Sequence, residues 1–247
     1  MNMNNHKIIT VGEFVLKVFE RSRQKHMYIR VMPPNGDLIA SVPSGTPDNA
    51  IRDLVLSKAV KIIKIQDKFR SQYRQSRREY VSGETFYYWG VPHMLQVNYF
   101  TEQPSKFIKH KIEIVPNKII MRVHEGTSRD RRRTFLTEHL RFELDEMVRL
   151  LLPEYERKFA IKLNRFMVRN MKTRWGSCNI RERNIMLNLQ LVTKPLICLE
   201  FVLHHEFVHF FERLHNNRFK RILSAYYPNW READQLMQSM PLECWEK

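Results

Sequence analysis

The residues best suited to chemistry lie in the stretch HHEFVHFFERLH (204–215), which holds four of the chain's ten histidines. His205, Glu206 and His209 form H-E-x-x-H. On a helix, residues four apart lie one turn above each other on one face, so both imidazoles can reach a single ion. Glu206 projects about 100° away from His205, within reach of a water on that ion but not of the ion itself. His215 follows six residues after His209. A helix that stops soon after His209 would let the chain turn and present His215 as a third ligand. Three protein ligands and one open position are the arrangement of a catalytic zinc. Glu232, in NWREAD, is the rival for the third place, because some zinc hydrolases take a glutamate from a following helix.

Other residues of the stretch have plainer roles. His204 faces away from the pair and reads as a core histidine or a support for the ligands. Glu212 returns to the His205 face, where it orients a ligand or marks the helix end. Leu196, Leu199, Leu203, Phe207, Phe210 and Leu214 form one apolar stripe, and Phe201, Val208 and Phe211 cover a flank. A helix apolar nearly all round is buried. Two histidines and a carboxylate on a buried face need partners, and a zinc ion supplies them.

The elements that must position this helix can be read outward from it. Pro195 opens it. Before it, RFMVRNM and NIMLNLQLV read as strands on either side of TRWGSCNIRER. Ser128 is an N-cap for a helix running to about Leu152, and Pro153 allows a new start for PEYERKFAIKL. Upstream the chain is strand-rich. EFVLKVFE and HMYIRVM alternate in polarity, PPNGD turns into LIASV, and YVSGETFYYWG and HMLQVNYF follow further on. KFIKHKIEI and KIIMRV joined by VPN make a hairpin. One helix interrupts the strands, starting at Pro47 and carrying Ile51, Leu54, Val55, Ala59, Ile62, Ile63 and Phe69 at the helical period. No internal repeat or low-complexity segment is visible.

Composition limits the rest. The chain has 247 residues, 43% of them hydrophobic and 28% charged, which suits a folded protein of one or two domains. No apolar run has the length of a membrane span and no signal peptide is evident, so a cytoplasmic location without membrane contact is expected. The three cysteines, Cys178, Cys198 and Cys244, include no CxxC pair and read as reduced thiols. A net charge of +16 favours polyanionic partners. Its clusters, Arg70, Arg74, Arg77 and Arg78, and Arg129, Arg131, Arg132 and Arg133, read first as solvated helix faces and second as a surface for nucleic acid.

Beyond these readings, the chain resembles the YgjP-like metallopeptidase-domain family of zincin-type, metal-dependent hydrolases. The resemblance rests on TRWGSC (173–178), on IMLNLQLV after it, on HHEFVHFFERLH and on YYPNW (226–230), with ERSRQKHMYIRVMPPNGDLIASVP and YVSGETFYYWG similar to the family's first strands. It implies zinc at His205, His209 and His215, with Glu206 as catalytic base. The family commonly continues its third histidine with Ser-Pro and later Phe-Trp. Here Asn216 stands for the serine and Lys220 for the tryptophan, a departure that concerns the pocket wall. In RWGSC, Trp175 is expected to pack on the zinc helix and Gly176 to allow close approach, while Arg174 can face a substrate anion. With three histidines available, Cys178 is not expected to bind the metal.

The expected fold is α+β, a largely antiparallel strand-rich region (1–127) followed by a zincin-like, mainly helical domain (128–247) with the HExxH helix. The expected function is a zinc-dependent hydrolase, first a metallopeptidase acting on peptide carbonyls. The alternatives are a metal-dependent nucleoside triphosphate pyrophosphatase, which the positive charge favours though no Walker A motif is present, and a nucleic-acid-associated protein with structural zinc. Substrate and oligomeric state are not written in the ligands.

Overall fold

Two turns far apart in the chain are built alike. Val42-Pro43-Ser44-Gly45-Thr46 and Val123-His124-Glu125-Gly126-Thr127 share the pattern V-x-x-G-T. In each, the threonine hydroxyl donates to the carbonyl three residues back, Pro43 at 2.7 Å and His124 at 2.6 Å. Gly45 and Gly126 have φ of 78° and 77°, a left-handed conformation that costs glycine little. Each turn leads from a strand into a helix two residues later.

The computed structural model describes residues 6–32, 35–71, 78–101, 111–171 and 173–240. Arg74, Arg77 and Cys244, the two prolines of PPNGD, and the start of KFIKHKIEI lie outside them. The chain forms two compact units, Met1–Arg74 and Gln75–Glu246. The boundary expected between 127 and 128 falls inside the second unit, between a strand and a helix.

The first unit has strands β1 (Lys7–Val11), β2 (Phe14–Arg21), β3 (Tyr28–Met32) and β4 (Asp37–Pro43), then helices α1 (Asp48–Ser57) and α2 (Ala59–Ser71). The single helix expected over this stretch is thus broken at Lys58, whose φ of −112° and ψ of 4° leave the helical range. The sheet order is β1-β2-β4-β3, antiparallel except for the central β2–β4 pair. Alternate residues of the strands, Leu16, Val18, Leu38, Ala40 and Val42 among them, join Ile51, Val55 and Ile62 of the helices in one core.

The second unit opens with the same arrangement. Strands β5 (Thr85–Tyr88), β6 (Val91–Phe100), β7 (Lys111–Val115) and β8 (Lys118–His124) form a sheet of order β5-β6-β8-β7, again with only the central pair parallel. The expected VPN hairpin is β7–β8. Buried pairs correspond across the two sheets: Leu16 opposite Leu38 and Val18 opposite Ala40 in the first, Leu95 opposite Ile119 and Val97 opposite Met121 in the second. The structure therefore contains a repeat of four strands, a V-x-x-G-T turn and a helix, correcting the expectation of none. Few residue identities survive between the copies, and what is kept is the alternation that sets register.

After the second turn comes α3 (Arg129–Phe159), capped by the Ser128 side chain, which accepts from the Arg131 N–H. It runs through Pro153 instead of restarting there. A proline inside a helix removes a hydrogen bond and crowds the preceding turn. Here Leu136, Leu140, Leu144, Val148, Tyr155 and Phe159 are buried along one side both before and after it. That burial outweighs the local preference, and the helix ends only at Ala160, in the left-handed region. Around its N-terminus, Arg132 donates to the Tyr80, Thr127 and Glu79 carbonyls, and Arg129 donates to the Arg78 carbonyl and pairs with Glu79 and Asp130. Much of this basic cluster serves the fold, while Arg131 faces solvent.

Next, β9 (Arg165–Arg169), β10 (Gly176–Asn179) and β11 (Asn184–Asn188) make a three-stranded sheet of order β10-β11-β9. A short 3₁₀ helix (Leu189–Thr193) leads to α4 (Leu196–Val208), α5 (Asn217–Tyr226) and α6 (Trp230–Ser239). The architecture is α+β, strand-rich first and mainly helical later. Among the described residues no helix is long and apolar enough to cross a membrane.

Candidate active site

Helix α4 carries the H-E-x-x-H residues, and nearly all of it is buried. It ends at Val208, with His209 as its C-cap, earlier than the apolar stripe suggested. Phe210 is half-buried and Leu214 is 65% exposed, so the last two members of that stripe lie on the connection to α5. This early stop lets residues 209–215 turn back. Asn216 then caps α5, its side chain accepting from the Phe219 N–H at 3.0 Å. The position where the family pattern has serine thus keeps a capping side chain. Neither Asn216 nor Lys220 lines the cleft described below, so their departures do not alter its wall.

The turn brings His205, His209 and His215 into a triangle. Their ring centroids are 4.9, 4.8 and 4.8 Å apart, and one nitrogen from each lies within 4.8 Å of the others. The Nε2 atoms of His205 and His215 are 2.9 Å apart. The ring of Phe219, buried under the triangle, is 4.9, 4.9 and 4.8 Å from the three imidazoles. Phe219 stands where the family pattern has its phenylalanine, but its place under the triangle depends on the turn before α5. His209 Nδ1 meets the Glu212 carbonyl at 3.1 Å, which leaves Nε2 for the triangle. The Glu212 side chain accepts from the Leu214 N–H and so stabilises the turn. Burial, and then the neighbouring histidines, push His205 down to about 3, and burial lowers His209 as well. Neutral imidazoles with converging nitrogens are donors for a divalent transition metal.

Glu206 is only 4% exposed, and its Oε2 has no hydrogen-bond partner among the described residues. Burial pushes its carboxyl up to about 8, while Arg174 pulls it down. A cation beside it would hold it ionised. The carboxyl lies against Gly176 of β10, where an added Cβ would stand 2.5 Å from Oε1. The close approach expected at Gly176 is therefore made to Glu206. Trp175 is half-buried against the core, with the Lys194 ammonium 5.7 Å from its ring centre.

The remaining candidates separate clearly. His204 lies behind the helix, 4% exposed. Its Nδ1 meets the Glu200 carbonyl at 2.8 Å, its Nε2 meets Lys158 Nζ at 2.9 Å, and its ring stacks on Tyr227. Burial first, and then the Lys158 charge, push it down to about 4, so it is neutral and accepts from the lysine. Glu232 is exposed and outside the histidine cluster. Cys178 lines the cleft but is also outside the cluster, and burial pushes its thiol up to about 12.

A cleft of about 1080 Å³ opens over the triangle, lined by β10 and its flanks, α4, the 209–215 turn and α6. Arg174 lines it, as do three residues the sequence did not suggest: Arg181, Arg213 and Asp234.

The YgjP-like metallopeptidase domain matches residues 25–240, and the chain belongs to that family. The match fits the histidine triangle with a carboxylate beside it, and the family implies a metal ion. Among solved structures, the crystal structure of the metallopeptidase zymogen of Pyrococcus abyssi abylysin is similar over 38% of this chain and 94% of its own, at 18% identity and a TM-score of 0.34. No curated protein matches the chain.

Proposed function

We propose that the protein is a zinc-dependent peptidase in which His205, His209 and His215 would hold the ion and Glu206 is the general base. The observation that carries this reading is the buried Glu206 carboxylate, one oxygen of which has no partner among the described residues, beside three converging imidazoles. A zinc ion bound there supplies a Lewis acid and brings the pKa of a coordinated water from 15.7 toward about 7. Glu206 would accept a proton at its carboxylate from a water held beside it and pass it to the leaving amine. Gly176 holds the carboxylate from one side, and Phe219 keeps the three rings in place from below.

Peptide is favoured over nucleotide by β10. It pairs with β11 along one edge, and among the described residues no strand pairs with the other. An extended peptide can add there as a further strand, with its backbone next to Glu206. Removing metal with a chelator should abolish peptide hydrolysis, and about one zinc per chain should restore it. Hydrolysis of nucleoside triphosphates in place of peptides would reject the reading.

A further inference from the structure

Three arginines face the cleft. Arg174 and Arg181 stand just before and just after β10, and Arg213 is on the 209–215 turn. All three are exposed and none makes an ion pair among the described residues, although the charge of Arg174 acts on Glu206. Some arginines elsewhere in the same unit are answered, Arg129 by Glu79 and Asp130, Arg149 by Asp145 and Arg218 by Glu212, whereas others, Arg131 among them, face solvent. The carboxylates lining the cleft are Glu206, which the proposed chemistry uses, and Asp234. The cleft thus offers more guanidinium groups than it neutralises.

We infer that these arginines select polypeptide segments bearing aspartate or glutamate on both sides of the scissile bond. This rests on the peptidase reading for the choice of a polypeptide as ligand. A strand rises about 3.3 Å per residue. Arg174 and Arg181 are seven positions apart with β10 between them, so a peptide laid along the strand passes Arg174 at the end next to Glu206 and Arg181 beyond the other end. Arg213 lines the same cleft and can meet the same peptide from the 209–215 turn. Guanidinium groups bind carboxylates through paired N–H donors, and a lysine side chain placed there would be repelled instead.

Binding separates this selectivity from turnover. Zinc-loaded Glu206→Gln protein would be titrated with fluorescent peptides of one length carrying Glu, Gln or Lys on both flanks, and the wild type assayed on the same set. The acidic peptide should bind and be cleaved best. Each of Arg174→Ala, Arg181→Ala and Arg213→Ala should weaken its binding roughly tenfold, as expected for one charged hydrogen bond. Arg181→Lys should recover part of that loss, and Arg181→Glu should favour the lysine peptide. Equal binding of the three peptides, or an acidic preference unchanged in all three alanine variants, would overturn the inference. Acidic peptides bound through the arginines but never cut would leave the selectivity standing and remove the peptidase reading. Nucleoside triphosphates displacing the acidic peptide and being turned over would assign the arginines to phosphate and overturn it too.

Discussion

At the scale of single residues, the site depends on a few close contacts. Gly176 is the clearest, because its missing side chain leaves the space that Glu206 occupies. Gly176→Ala would force the carboxylate or β10 to move by roughly 1 Å, and a shift of that size can cost on the order of 10²-fold in rate. We expect zinc content to be kept and peptide turnover to fall by about that factor, as measured by elemental analysis and kcat on one preparation. Unchanged kcat would mean that Glu206 has room to adjust. His205, Glu206, His209 and His215 were legible in the sequence because helical spacing alone puts two of them on one face. Arg181, Arg213 and Asp234 were not, nor was the place of Phe219 under the triangle, because these depend on the turn after His209 and the placement of α6.

Among the elements, the position of α4 is set from behind. Lys158 of α3 donates to His204 of α4 at 2.9 Å and to the Tyr226 carbonyl at the end of α5 at 2.8 Å. One ammonium thus ties together the helix carrying His205 and His209 and the helix that follows His215. Lys158→Met would remove both bonds, and hydrogen bonds to charged groups contribute about 1.5–3 kcal/mol. The denaturation midpoint should fall and zinc affinity should weaken, although Lys158 lies outside the histidine triangle. A lowered midpoint with unchanged zinc affinity would make Lys158 a purely structural tie. The ends of these elements were legible where a local signal marks them, as at Ser128 and Pro195. They were not legible where tertiary burial overrides the local signal. Helix α3 continues past Pro153 because Tyr155 and Phe159 are buried beyond it, and α4 stops before its apolar pattern does.

Taken whole, the chain joins two copies of one strand-and-helix arrangement, and only the second is followed by β9 to β11 and α4 to α6. The copies are visible in strand order and register but not in composition, because a buried sheet face accepts Leu, Ile, Val, Ala or Met so long as the alternation holds. The +16 charge was legible from the start, but its distribution was not. Arg129 and Arg132 anchor the start of α3, whereas Arg174, Arg181 and Arg213 line the cleft. Whether metal and base share one site is decided on purified Glu206→Gln protein beside the wild type, with zinc per chain and peptide turnover measured together. Both proteins should hold equal zinc, near one per chain, and Glu206→Gln should turn over peptide roughly 10²- to 10⁴-fold more slowly, the range for general-base catalysis. Turnover undiminished in Glu206→Gln, or wild-type protein that binds no zinc, would contradict a shared site.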